Sequence, residues 1–319
     1  MKKKVISIIV IFLLSVLALD YAAYLVIIKE TKKYVSADTK LPAWHTDIFR
    51  MYDETSLKWY EKNKHNEIFR PAAGENYKKA PIWIFGCSFA YGTSIVNGKH
   101  PDEDSFGYIL SKKTKRPVYN RAYPSWGIQH MLYMLENEEI YNKLPAPEYV
   151  IYVFIADHGR RLQKLIYDAW SDGAYLRYKL NKNGELEILK GILVEPFWKF
   201  HFVKLWLTYL EYNIRLNPKY HDYNFDLLEQ MFIRSKNLVN SKYPNTKFII
   251  LKYDGNDGFD RWFIETSRWN ELKKQGFIVI DADKLTGKNL KTKEYTDADN
   301  YHPNKKAWEK ISDKLSKLL

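Results

Sequence analysis

From residue 81 onward the chain alternates short apolar runs with longer stretches of helical period. Trp83–Phe85, Pro117–Tyr119, Tyr149–Ile155, Thr246–Tyr253 and Gly276–Asp281 are brief and rich in β-branched and aromatic residues. Glycine, proline or polar clusters bound them, which predicts five strands. Tyr149–Ile155 is continuously apolar, the character of a strand covered on both faces of a parallel sheet. Ser105–Lys113, Gln129–Tyr141 and Pro303–Leu319 read as helices; the second carries Met131, Leu132, Leu135 and Ile140 on one side. Strands separated by helices predict a three-layer α/β/α domain with a mainly parallel five-stranded sheet. An insertion at about 160–225 interrupts the alternation. Within it, Tyr175–Leu189 reads as a β-hairpin turning at Asn183-Gly184. Pro196–Leu216 reads as an aromatic-rich helix: a lid, a substrate wall, a membrane-facing surface, or an element that simply packs on the domain.

The amino terminus follows another pattern. After Lys2–Lys4, Val5–Ile28 is almost uninterruptedly apolar, with Asp20 towards its far end. At ~1.5 Å per residue such a helix is roughly 36 Å long, enough to span a bilayer. No small-x-small cleavage site follows it, so residues 1–33 are expected to form an uncleaved signal anchor, with the body outside the cytoplasm. Residues 34–80 are a connector expected to pack on the domain edge and carry no chemistry, and 81–319 the globular domain.

Composition narrows the partners. A net charge of +12 and a pI near 9.3 favour an anionic surface or glycan. The lysines are scattered, and zinc-finger spacing, an RNP motif and a basic helix are all missing, which argues against nucleic acid. The one cysteine, Cys87, forms no intramolecular disulfide, and no metal-ligand cluster or cofactor motif is present.

The candidate chemistry sits at the two ends of the domain. Gly86-Cys87-Ser88 follows the first strand, where an open α/β sheet displays its ligands. Ser88 is either the cap of the next helix or a nucleophile; Cys87 reads as a packed small hydrophobe. Asp299-Asn-Tyr-His302 precedes the last helix, and Pro303 suits a first helical position, placing His302 in the loop at that helix start. His302 is the candidate base, and Asp299, rather than Asp297, its orienting partner.

With these residues in place, the chain resembles the SGNH (GDSL-like) hydrolases. Gly86-Cys-Ser-Phe-Ala-Tyr-Gly92 is similar to that family's first block, with Cys87 where Asp is usual. Asp299-Asn-Tyr-His302-Pro-Asn is similar to its last block. Asn120-Arg-Ala-Tyr-Pro-Ser125-Trp-Gly127 matches the second block at Asn120 and Gly127, with Ser125 where the oxyanion-hole glycine falls. The third block, Asp157-His158-Gly-Arg160-Arg161, has no asparagine; Gly255-Asn-Asp257 has the right letters but follows the fourth strand. An ionised Asp157 would repel an oxyanion, so His158 or a backbone N–H is the expected donor there, alongside Ser125 or Gly127. Arg160 and Arg161 either hold an anionic substrate group or pair with acids. Over residues 81–319 the resemblance implies a flavodoxin-like SGNH fold, which follows the N-terminal transmembrane helix read from the apolar run. It also implies a serine-dependent ester hydrolase that works through an acyl-serine, needs no cofactor, and acts on O-acyl groups of a cell-envelope carbohydrate. An O-acetyltransferase on the same substrate class and an inactive glycan-binding scaffold remain as alternatives.

Overall fold

The computed structural model describes residues 11–12, 14–22, 69–93, 101–124, 126–136, 139–162, 177–189, 218–254 and 262–319. Five strands, β1 (Ile82–Phe85), β2 (Val118–Asn120), β3 (Tyr149–Phe154), β6 (Lys247–Lys252) and β7 (Ile278–Asp281), form one parallel sheet in the order β2-β1-β3-β6-β7. Strands β4 (Arg177–Leu180) and β5 (Leu186–Leu189) form the separate hairpin. The helices are α1 (Ser88–Tyr91), α2 (Phe106–Thr114), α3 (Ile128–Glu136), α4 (Glu139–Lys143), α5 (Asp157–Leu162), α6 (Pro218–Lys242), α7 (Trp262–Glu265), α8 (Trp269–Lys274), α9 (Ala282–Thr286) and α10 (Lys305–Leu315).

The period-2 alternation of each strand sorts its side chains between two cores. Trp83, Phe85, Val150, Tyr152, Phe154, Phe248 and Ile250 join Met131, Leu135, Leu228, Met231 and Phe232 from α3 and α6. Ile82, Ile84, Ile151, Val153, Ile249 and Leu251 join Phe106, Leu110, Trp308 and Ile311 from α2 and α10. With both faces covered, the sheet is the middle layer of three. Strand order reverses direction between β1 and β3, which opens a crevice at their carboxyl ends. The residues after β1 and β3 therefore share one rim.

All five expected strands are present, with ends shifted by one or two residues. Three expectations change. The stretch Gln129–Tyr141 is two helices, α3 and α4, rather than one. The 25-residue α6 is not announced by the apolar pattern, and the insertion boundary near 225 falls inside it. Its buried stripe is broken by Asn224 and Ser235, which blurs the helical period. The last helix begins at Lys305, where the Asn304 side chain accepts the Ala307 N–H at 3.2 Å; Pro303 instead pairs with Thr296 in an isolated bridge. The hairpin turns where expected, through Gly184 at φ 76°. Pro196–Leu216 and Gly255–Asp257 lie outside the described residues.

At the amino terminus, residues 11–12 and 14–22 are helical, and Ile11, Phe12, Leu14, Leu17, Leu19 and Tyr21 are exposed. Among the described residues no helix is long and apolar enough to cross a membrane; the rest of 1–33 lies outside them. The end of the connector packs on the sheet edge, with Ala73 bridging to Val118.

Candidate active site

The turn that carries Ser88 begins at Gly86, whose φ of +150° and surroundings favour glycine. A Cβ there would sit 3.0 Å from the Val153 carbonyl oxygen and 3.1 Å from the Ala90 Cβ. Cys87 is fully buried, and burial pushes its thiol pKa up, so it packs and does not ionise. Ser88 opens α1, a position whose N–H has no intrahelical acceptor.

One turn of helix does not form on its own, and α1 is held from outside. Gly92, at φ 81°, donates to the Ser88 and Phe89 carbonyls at 2.9 and 3.1 Å, and Thr93 to Ser88 O at 3.0 Å. The Asn120 Nδ2 donates to Ala90 O at 2.7 Å. Arg70, from the connector, donates to Tyr91 O and Gly92 O. Arg70 carries no signal in the sequence, since nothing in a lone arginine before a strand says which carbonyls it will meet.

From the other end of the domain, His302 Nε2 lies 2.9 Å from Ser88 Oγ, and His302 Nδ1 is hydrogen-bonded to Asp299 Oδ2. The other Asp299 oxygen accepts the backbone N–H groups of Tyr301 at 2.9 Å and His302 at 3.0 Å. These bonds wrap the loop around its own carboxylate and place Asn300 at φ 55°, which asparagine tolerates. Burial would raise the Asp299 pKa; the hydrogen bond and charge of His302, with the two backbone donors, outweigh it and hold the carboxyl below its usual range. An ionised Asp299 keeps the proton on Nδ1 and leaves Nε2 to accept from the Ser88 hydroxyl. Phe89, next to the serine, packs its ring 5.1 Å from that of His302 and 5.0 Å from that of Tyr301. Asp297 shapes the same loop through its backbone, donating to His302 O at 2.7 Å.

The expected oxyanion donors are arranged differently. Asn120 is a brace: besides bonding Ala90 O, its Oδ1 accepts the Ala122 N–H at 3.0 Å. The Gly127 N–H is committed to His130 Nδ1 at 3.1 Å, and burial, followed by the Arg161 charge, lowers the His130 pKa so that the nitrogen stays an acceptor. His158 has no exposed surface; its Nδ1 meets the Tyr152 hydroxyl at 2.9 Å, and burial keeps it neutral. A ring with no exposure does not touch a substrate. Arg161 is not an open anion site. Its Nη2 pairs with Asp157 at 2.5 Å and its Nη1 donates to Trp126 O at 2.6 Å, with both side chains of the pair about nine-tenths buried. The i,i+4 spacing of Asp157 and Arg161 was a readable signal for that pairing. Arg160 belongs to α5, but its side chain, like all of Ser125, lies outside the described residues. Among the described residues no group of three or more His, Cys, Asp or Glu side chains is placed to hold a metal ion.

No family model and no curated protein matches the sequence. Similar solved structures include a lipolytic protein of the G-D-S-L family from Desulfitobacterium hafniense DCB-2, at 14% identity over 76% of this chain and 100% of that one, with a TM-score of 0.42. The lipase Lip_vut3 from a goat rumen metagenome is similar at 14% identity over 74% of this chain and 96% of its own, TM-score 0.44. A family two carbohydrate esterase from Clostridium thermocellum, solved with cellohexaose, is similar at 10% identity over 75% of this chain and 63% of its own, TM-score 0.40.

Proposed function

We propose that this chain is a serine-dependent ester hydrolase of the SGNH type. The observation that carries the reading is the hydrogen-bonded path from Ser88 Oγ to His302 Nε2, 2.9 Å, and on from His302 Nδ1 to Asp299. A hydroxyl is a weak nucleophile until a base takes its proton, and a base is effective only when held in the right tautomer. In this reading Ser88 attacks an ester carbonyl as His302 accepts its proton. The oxyanion forms against the Ser88 N–H and a second backbone N–H donor. His302 then protonates the leaving alcohol, and water, activated by the same ring, hydrolyses the acyl-serine. Each oxyanion donor of this kind contributes about 2.7–4 kcal/mol.

For the substrate we infer O-acyl groups of a cell-envelope carbohydrate. The half-buried rings of Tyr91 and Tyr123, 5.8 Å apart, support this reading. The Tyr123 N–H donates to Gly86 O at 3.3 Å, which sets this aromatic flank beside the nucleophile turn. A tyrosine ring offers an apolar face and a hydroxyl at its tip, a combination suited to the C–H face and hydroxyls of a sugar. The exposed apolar side chains of Ile11, Phe12, Leu14, Leu17 and Leu19 support a membrane anchor; a catalytic domain outside the cytoplasm is part of the proposal.

The test uses the full chain in detergent with short acyl esters and a fluorophosphonate probe. Wild type should turn over the ester and take the label, and Ser88→Ala should do neither. Undiminished turnover by Ser88→Ala would falsify the assignment. Adding an oligosaccharide acceptor to the same assay separates hydrolysis from acyl transfer.

A further inference from the structure

Three successive carbonyls at the carboxyl end of α1 are capped by side chains from outside the helix. Asn120 takes Ala90 O; Arg70 takes the next two, with Nε on Tyr91 O and Nη2 on Gly92 O, each at 2.7 Å. The third arm of the guanidinium, Nη1, meets Asp102 Oδ1 at 2.5 Å, and the group lies over the Tyr91 ring at 4.9 Å. The Arg70 side chain is 2% exposed. A buried guanidinium is costly unless its donors are used, and here they are spent on the turn that carries Ser88. A cation is also favourable at a helix carboxyl end, where the carbonyl dipoles point. Gly92 is fitted to this arrangement: at φ +81° it closes the helix, and a Cβ there would sit 3.1 Å from Arg70 Nη2.

We propose that Arg70 is a positioning residue for the nucleophile, contributed by the segment ahead of the first strand. By fixing the carboxyl end of a single helical turn it fixes the other end too, three residues away, where the Ser88 hydroxyl must meet His302 and the Ser88 N–H must face the oxyanion. The catalytic unit therefore begins no later than Arg70, inside the stretch that the sequence marks as a connector. The proposal rests on Ser88 being the nucleophile.

The structure supplies a matched control. Arg116 is also a buried arginine that donates to backbone, to Ala80 O and Leu319 O, and pairs with an acid, Glu148, but it sits ahead of β1 and β3, at the edge of the sheet opposite the nucleophile turn. Arg70→Lys, Arg70→Ala, Arg116→Lys and Ser88→Ala are compared in the full chain by kcat, KM, fluorophosphonate labelling rate and Tm. A lysine ammonium does not reproduce the fork that reaches both carbonyls and Asp102. Arg70→Lys is expected to lower kcat and the labelling rate together, by about 10- to 100-fold, with KM within about threefold. Arg116→Lys is expected to lower Tm by a similar amount and leave kcat within about twofold. Should Arg70→Ala not fold, Asp102→Asn, which loosens the guanidinium from a half-exposed position, should lower kcat in the same direction. Arg70→Lys retaining wild-type kcat and labelling while losing Tm as Arg116→Lys does would overturn the positioning role and leave the Ser88 reading intact. Ser88→Ala retaining label would remove the nucleophile, and the proposal with it.

Discussion

On one side of Ser88, His302 and Asp299 come from a single loop and lend their side chains to a hydrogen-bonded path that ends on the serine hydroxyl. On the other side, Asn120 comes from the end of β2 and Asp157, His158 and Arg161 from the helix after β3; they turn their side chains onto backbone groups, onto each other or, for His158, onto the Tyr152 hydroxyl. In the proposed reaction the first side must move a proton, so its functional groups have to face the reacting atoms. The second need only hold N–H donors still, and there the side chains serve as scaffold. Charge follows the same division. Asp299 faces the ring it must stabilise when protonated, whereas the Arg161 charge is already answered by Asp157 and is unavailable to a substrate anion. The polar residues of one rim thus do two kinds of work, and variants should separate them.

The largest effects should fall on the proton-moving side. Ser88→Ala and His302→Ala should each reduce kcat by about 10³-fold or more, and the double variant should lose little beyond either single one, because the groups act as a unit. Asp299→Ala should follow closely, while Asp297→Ala, which removes only a side chain from the loop, should stay within about tenfold of wild type. A reversed ranking of the two aspartates would assign the orienting role to the wrong carboxylate.

On the scaffold side the expected loss is in stability. Arg161→Ala leaves Asp157 buried without its partner, a change that costs about 3–5 kcal/mol in comparable pairs. It should lower Tm by many degrees and leave KM for a neutral ester close to wild type. If Arg161 instead held a substrate anion, KM for an acidic substrate would rise with Tm unmoved. Asn120→Ala should cost less than Arg161→Ala in stability. It should lower kcat by about tenfold, short of the 10²–10³ lost with a true oxyanion donor.

That same division explains what the sequence made legible. Both ends of the nucleophile–base path are local patterns: Gly86 before Ser88 at a strand end, and Asp299 three residues from His302 before a helix. The five strands were legible for the same reason, since each is a short apolar run. The scaffold side depends on tertiary contacts. Nothing in Asn120 reveals that its amide will meet Ala90 O, and nothing in Gly127 reveals that its N–H will be claimed by His130. Helix α6 was hidden for a related reason: Asn224 and Ser235 sit fully buried on its inner face, where periodicity leads one to expect apolar residues.

The smallest predicted effect is also the one that places the two sides in different pH windows. His158 is fully buried against Tyr152, and burial, then the nearby Arg161 charge, holds its pKa well below the usual value; the Asp157 charge opposes this and the His130 ring adds to it. In the unfolded chain the ring titrates near 6.5. Above that pH both states are neutral and the contribution to stability is complete. As pH falls below about 6.5 the unfolded chain takes a proton that the folded one refuses, so stability drops by up to about 1.4 kcal/mol per pH unit. Asp299 has the lowered pKa of an acid, so its contribution is present above about pH 4 and lost only below it. Between pH 6.5 and 4.5 the acid slope should therefore come from the scaffold side. Urea melts at half-unit steps should show His158→Gln to be less stable than wild type at pH 7 but flatter by about one proton across that window. Asp299→Asn should keep the wild-type slope there and lose its difference from wild type only towards pH 3. Equal slopes for wild type and His158→Gln would mean that the folded protein protonates this ring, and that the scaffold side is open to water.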